Sequence, residues 1–156
     1  MHAPSQTPVN PQRLSRFLMI LYVEMVVAVG LVYVASEFKA PAIPRDVPAV
    51  VRNGMAGFAC VAGAVALFVR FVLLAKLLSA DALGGITTTA LGKLRTYYTV
   101  CYVLSEAVAI TGFALRFLGV GRVEALPFFV GAAVLFVLCY PRVPMELASA
   151  VPSPPA

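Results

Sequence analysis

Two glutamates stand alone inside long apolar stretches, and they are the residues of this chain most suited to chemistry. Glu106 lies near the middle of 97–119, YYTVCYVLSEAVAITGFALRFLG, and Glu24 lies inside 17–35. An ionised carboxylate in hydrocarbon costs about 2.5–3.5 kcal/mol even on lenient insertion scales, so it faces a helix bundle or water. Two roles fit such an acid. It binds a proton or another cation, or it stays protonated and hydrogen-bonds a neighbouring helix, with Tyr22, Tyr102 or Ser105 as partners. Tyr102 precedes Glu106 by four residues and so shares its helical face.

Other chemistry is sparse. The only histidine, His2, sits in a Pro-rich tail, which argues against a His-based dyad or cluster. Cys60, Cys101 and Cys139 each fall in an apolar run, without a CxxC pair or an even framework. They read as small packing residues, with neither disulfides nor a metal site expected. The sequence shows no nucleophile–base pair, phosphate-binding loop, cofactor motif or nucleic-acid motif. The expectation is a non-enzymatic protein without cofactors, whose surroundings are the lipid bilayer and other membrane subunits rather than nucleic acid.

The elements that must position the two acids follow from composition. The chain is 61% hydrophobic and 12% charged, with a mean hydropathy of +0.92. A soluble domain of this length has about a quarter of its residues charged, and it has no core large enough for the apolar excess. Lipid must take the remainder, which implies a multi-pass protein of the cell membrane. Four apolar runs predict helices over 14–36, 49–78, 94–118 and 126–140, an all-α, four-helix transmembrane bundle occupying 13–144. The Pro-rich segments 1–12 and 145–156 read as disordered tails. The first run is too long for a signal-peptide core and contains Glu24, so a retained helix is expected.

Basic residues bracket the runs: Arg16 with Lys39, Arg52 with Arg70, Arg95 with Arg116, and Arg122 with Arg142. These spacings are roughly 27–35 Å in helical form, close to the hydrocarbon thickness, so the residues read as membrane-edge anchors. The formal charge of +5 is therefore spread along headgroup levels rather than gathered in a patch. With the N-terminus inside, Arg13, Arg16, Arg70, Lys76, Lys93, Arg95 and Arg142 fall on the cytoplasmic side. Lys39, Arg45, Arg52, Arg116 and Arg122 fall outside, so the balance favours cytoplasmic termini. Prolines in 37–48 predict a stiff loop, and 79–93 a polar connection. Pro127 is placed in the first turn of the last helix.

An internal echo is visible. Glu24 and Glu106 each precede a glycine by six residues, and GAVALFV at 63–69 matches GAAVLFV at 131–137. The order, a Glu helix followed by a Gly-Ala-x-x-Leu-Phe-Val helix, suggests two duplicated hairpins with both acids at similar depth. Small residues at Ala56, Cys60 and Ala64, and at Ala59 and Gly63, predict close approach of a neighbouring backbone. Glu106 is expected against the 56–63 segment or beside Glu24.

The segment 106–115, EAVAITGFAL, resembles the second helix of the ATP synthase c subunit (proteolipid) family, which carries a mid-membrane acid followed by Ala, Ile and Gly in similar register. That resemblance implies an ion-carrying role for Glu106 in a proton- or cation-translocating subunit. The connection before this helix is longer than the family's polar turn, and Glu24 lies on the opposite helix of its hairpin. The whole pattern, including LRFLG and PFFxxGAxLxxLxxPRxP, is similar to small four-helix proteins of the bacterial inner membrane. The leading expectation is a structural or accessory membrane subunit, within a homo-oligomer or a larger complex. The proteolipid-like role of Glu106, with Glu24 assisting, is the alternative.

Overall fold

Long apolar sequence between prolines and glycines leaves the backbone little choice but helix, the one open structure that satisfies its own hydrogen bonds in lipid. The computed structural model describes residues 11–39, 46–77 and 88–141. Four helices run through them: α1 (Pro11–Lys39), α2 (Ala49–Phe68), α3 (Thr88–Leu118) and α4 (Arg122–Leu138). No strand occurs among the described residues. Three segments, Arg13–Phe38, Ala49–Leu77 and Ala90–Leu118, are long and apolar enough to cross a membrane. Helix α4 has 17 residues and spans about 25 Å, the shortest of the four.

The chain is an all-α bundle organised on α3. Helix α3 packs along α1, α2 and α4, whereas α4 touches α1 and α2 more lightly. Helices α1 and α2 do not pack on each other. Neighbours in sequence alternate in direction, so α1 and α3 are parallel. Arg95 stacks on the Phe17 ring at 4.3 Å, and Tyr22 meets Tyr102 edge-on at 5.8 Å between ring centroids. The two halves of the chain therefore do not pack alike: α3 and α4 form an intimate hairpin, and α1 and α2 do not.

Several boundaries differ from the sequence expectation, each for a local reason. Helix α1 starts within the stretch expected to be a tail and carries Glu37 and Phe38 one turn past the expected end. Helix α3 begins at Thr88 rather than 94, because TTALGK contains no residue that forbids helix. Helix α4 begins at Arg122, four residues early. Its first turn closes through the Ala125 amide, which donates to the Gly121 carbonyl at 3.1 Å. Pro127 consequently lies inside the helix instead of in its first turn. There it withholds one backbone bond, from the turn that also holds exposed Val123. The reversal between α3 and α4 takes three residues. Gly119 has φ 104°, a conformation costly for any residue with a Cβ. The tail 145–156 and Arg142 lie outside the described residues.

Helix α2 does not end at Phe68 but passes through a π-helical turn, Val69–Leu73, and continues to Leu77. The buried row on α2 explains it. Ala59, Ala62, Ala66 and Val69 follow at steps of three and four, and the next buried residue, Leu74, comes five later. The wide turn absorbs the extra residue and keeps one face on α3. That row corrects the expected small-residue stripes: Cys60 and Ala64 are exposed, and Ala56 is only half-buried.

Candidate functional site

Helix α3 has a buried side and an open stripe. Tyr98, Cys101, Tyr102, Ser105, Val108, Ala109 and Leu115 are buried, while Val103, Ile110 and Phe117 form an exposed line at heptad spacing. Glu106 falls between them, half-buried, one turn beyond Tyr102 on the edge that faces α1. Among the described residues it makes no hydrogen bond and no ion pair. The partners expected for it are committed elsewhere or apart: Ser105 donates to the Cys101 carbonyl at 2.8 Å, and the Tyr102 hydroxyl bonds to nothing described.

Glu24 is exposed on α1 and likewise has no polar partner among the described residues. It lies within two residues of the midpoint of the span Arg13–Phe38. The Phe17–Arg95 stack and the Tyr22–Tyr102 contact hold α1 parallel to α3, so that both acids fall in the middle part of the bundle. By either contact the two acids lie within about one helical turn of each other in depth. No hydrogen bond joins them among the described residues. Among the described residues no hydrogen bond or ion pair joins Glu106 to the 56–63 segment of α2. On that side, Gly54, Met55 and Phe58 of α2 and Ala107, Ile110 and Ala114 of α3 line an open apolar groove of about 400 Å³.

Several residues expected as membrane-edge anchors make contacts within the bundle. At one end of the bundle Arg52 pairs with Glu124 at 3.4 Å. Nearby, Arg122 reaches Glu37 at 3.5 Å and donates to the Tyr33 hydroxyl at 3.0 Å. The Tyr33 bond and the Glu37 charge raise the pKa of the Arg122 guanidinium above its ordinary value. Arg116 donates to the Val120 carbonyl at 2.9 Å and so ties down the α3–α4 turn. At the other end Arg95 covers Phe17, and Arg70 donates through Nε to the Leu138 carbonyl at 3.0 Å. Arg16 is exposed; the side chain of Lys39 lies outside the described residues, as does Arg142.

A second cluster was not foreseen. Across the α3–α4 pair Gly112 meets Phe128 and Phe129, and Val108 meets Gly131. Carried two turns further, this register sets Cys101 opposite Cys139 across the α3–α4 pair. Both are buried, at 1% and 0% exposure, and the Cys101 Sγ also contacts the Ala66 carbonyl at 3.6 Å. The Arg70 guanidinium lies within electrostatic reach of both sulfurs and 5.9 Å from the Tyr98 ring centroid. Tyr102, fully buried, completes the group. Nothing in the cysteine spacing signals the pairing; a helical register was needed, and only the Gly–Phe crossing supplies it.

No family model, curated protein or solved structure matches the chain.

Proposed function

We propose that this protein is a multi-pass accessory subunit of the cell membrane, with cytoplasmic termini, that assembles with other membrane helices through the open face of α1. One observation carries the reading: Glu24 lies near the middle of a long apolar helix on an exposed face, with no polar partner among the described residues. An acid there needs a hydrogen-bonding or basic group at the same depth, and intramembrane polar residues face protein or water rather than lipid. Around it Val23, Val27, Leu31 and Val34 are exposed, and Gly30 has open space above it. A second helix could approach that glycine closely. The test is the mass of the full chain isolated in mild detergent from membranes in which it is native. The wild type is expected above the monomer mass, and Glu24→Leu at the monomer mass with unchanged helicity. A monomeric wild type would falsify the reading.

A second reading is a proton- or cation-carrying subunit of the proteolipid kind. It draws on Glu106, half-buried at the border of the open α3 stripe with no polar partner among the described residues. Its signature is pH-dependent labelling of Glu106 by a hydrophobic carbodiimide, lost in Glu106→Gln. Labelling at Glu24 alone, or at neither acid, counts against it.

A further inference from the structure

The Cys101–Cys139 cluster lies inside the bundle, away from the open face of α1, and is not used by either reading above. We propose that it is a two-coordinate site for a soft monovalent cation of the Cu(I) or Ag(I) kind, held between α3 and α4 by the two sulfurs.

The donor set selects the ion. Thiolate ligands favour soft ions, and zinc in a closed site takes four ligands. No group of three or more Cys, His, Asp or Glu exists among the described residues, so only ions content with two ligands are matched here. Binding releases both thiol protons and forms two metal–sulfur bonds, leaving a complex of one net negative charge. Such a charge is costly in an apolar interior unless it is compensated. Arg70 compensates it. Its Nε is pinned to the carbonyl of Leu138, the residue next to Cys139, and the π-helical turn Val69–Leu73 carries it there.

The orphaned phenol supplies an independent sign. Tyr102 is 0% exposed, its hydroxyl has no hydrogen-bond partner among the described residues, and both cysteines lie within electrostatic reach of it. A buried O–H in that state is costly. A metal-bound sulfur is the acceptor it lacks, and donors of this kind orient and tune metal ligands. The site lies about 9 Å inside the level of Arg95, and Cys139 caps the C-terminal end of α4. A cation entering from that membrane face meets it within two helical turns.

The experiment uses the full chain in mild detergent, reduced with a phosphine, kept anaerobic and titrated with Cu(I) against bicinchoninate. One Cu(I) per chain is expected to resist the competitor, and X-ray absorption is expected to show two sulfur neighbours. Cys101→Ser and Cys139→Ser should each abolish that binding, while Cys60→Ser should keep it. Tyr102→Phe should weaken affinity by about 10–100-fold with unchanged circular dichroism. The proposal is overturned if the reduced wild-type chain retains no copper, or if Cys101→Ser retains it. Three or four neighbours in the spectrum, or a Cys101–Cys139 disulfide that survives the phosphine, would overturn it equally.

Discussion

Helices α1 and α3 both carry a glutamate six residues before a glycine, and the bundle treats the two pairs in opposite ways. On α3 the glycine is consumed by packing. A Cβ added at Gly112 would stand 2.8 Å from the Phe128 Cβ and 3.1 Å from the Phe129 Cε2. On α1 a Cβ at Gly30 would meet nothing within 4 Å. The acids differ in parallel: Glu106 is half-buried at the rim of the central helix, and Glu24 is exposed. Small residues in membrane helices serve close backbone approach, and Gly30 leaves room for one that the bundle itself does not use. The comparison gives α3 the internal cohesion and is the ground on which assembly is proposed for α1.

The largest effect should come from Gly112→Ala. The clash is with a Cβ fixed to its backbone, so α3 and α4 must separate, at a cost of about 1–3 kcal/mol. Thermal unfolding in detergent should move down measurably; an unchanged midpoint would show that the crossing is looser than described. Arg122→Gln should cost less. It removes contacts to Tyr33 and Glu37 that tie α4 to α1, but these groups are solvent-exposed, and exposed pairs contribute little. Because Arg122 titrates far above working pH, the wild-type pair should show no loss between pH 7 and pH 9 arising from this residue.

Glu106→Gln should leave the monomer fold within about 0.5 kcal/mol of wild type, since no polar contact within the described residues is lost. Strong destabilisation would reveal a partner that the described contacts do not include. The smallest effect belongs to Gly30→Ala. In isolated chains it should be neutral or slightly stabilising, because alanine is the better helix former. Its consequence is expected between chains, as a lower assembled fraction at unchanged monomer stability.

How much of this was legible in the sequence depends on the range of the interaction. The apolar runs announced four helices because hydropathy and helix-breaking residues act locally. The positions of Glu24 and Glu106 near the middle of their spans followed from length alone. Their surroundings did not. Whether Glu106 meets α2, α1 or lipid depends on helix rotation, which is set by Gly112 against Phe128 and by Arg95 over Phe17, contacts between distant segments. The π-helical turn was hidden for the same reason: only the buried row on α2, seen against α3, needs the extra residue between Val69 and Leu74. Pro127 misled because a proline fits a first turn so well that the helix start was drawn to it. The true start was set by Gly121 and Ala125. The cysteines were read singly, and pairing them required the antiparallel register of α3 and α4.

The assignment of α1 to assembly is tested most directly inside the membrane. A benzophenone side chain placed at exposed Val27, next to Glu24, is compared with the same group at exposed Val65 on α2 and Val130 on α4. On illumination, position 27 should give a discrete protein adduct, and positions 65 and 130 should give only lipid adducts. The adduct at 27 should disappear when Glu24→Leu is added. Lipid adducts alone at all three positions, or protein adducts of equal yield at all three, would contradict the account.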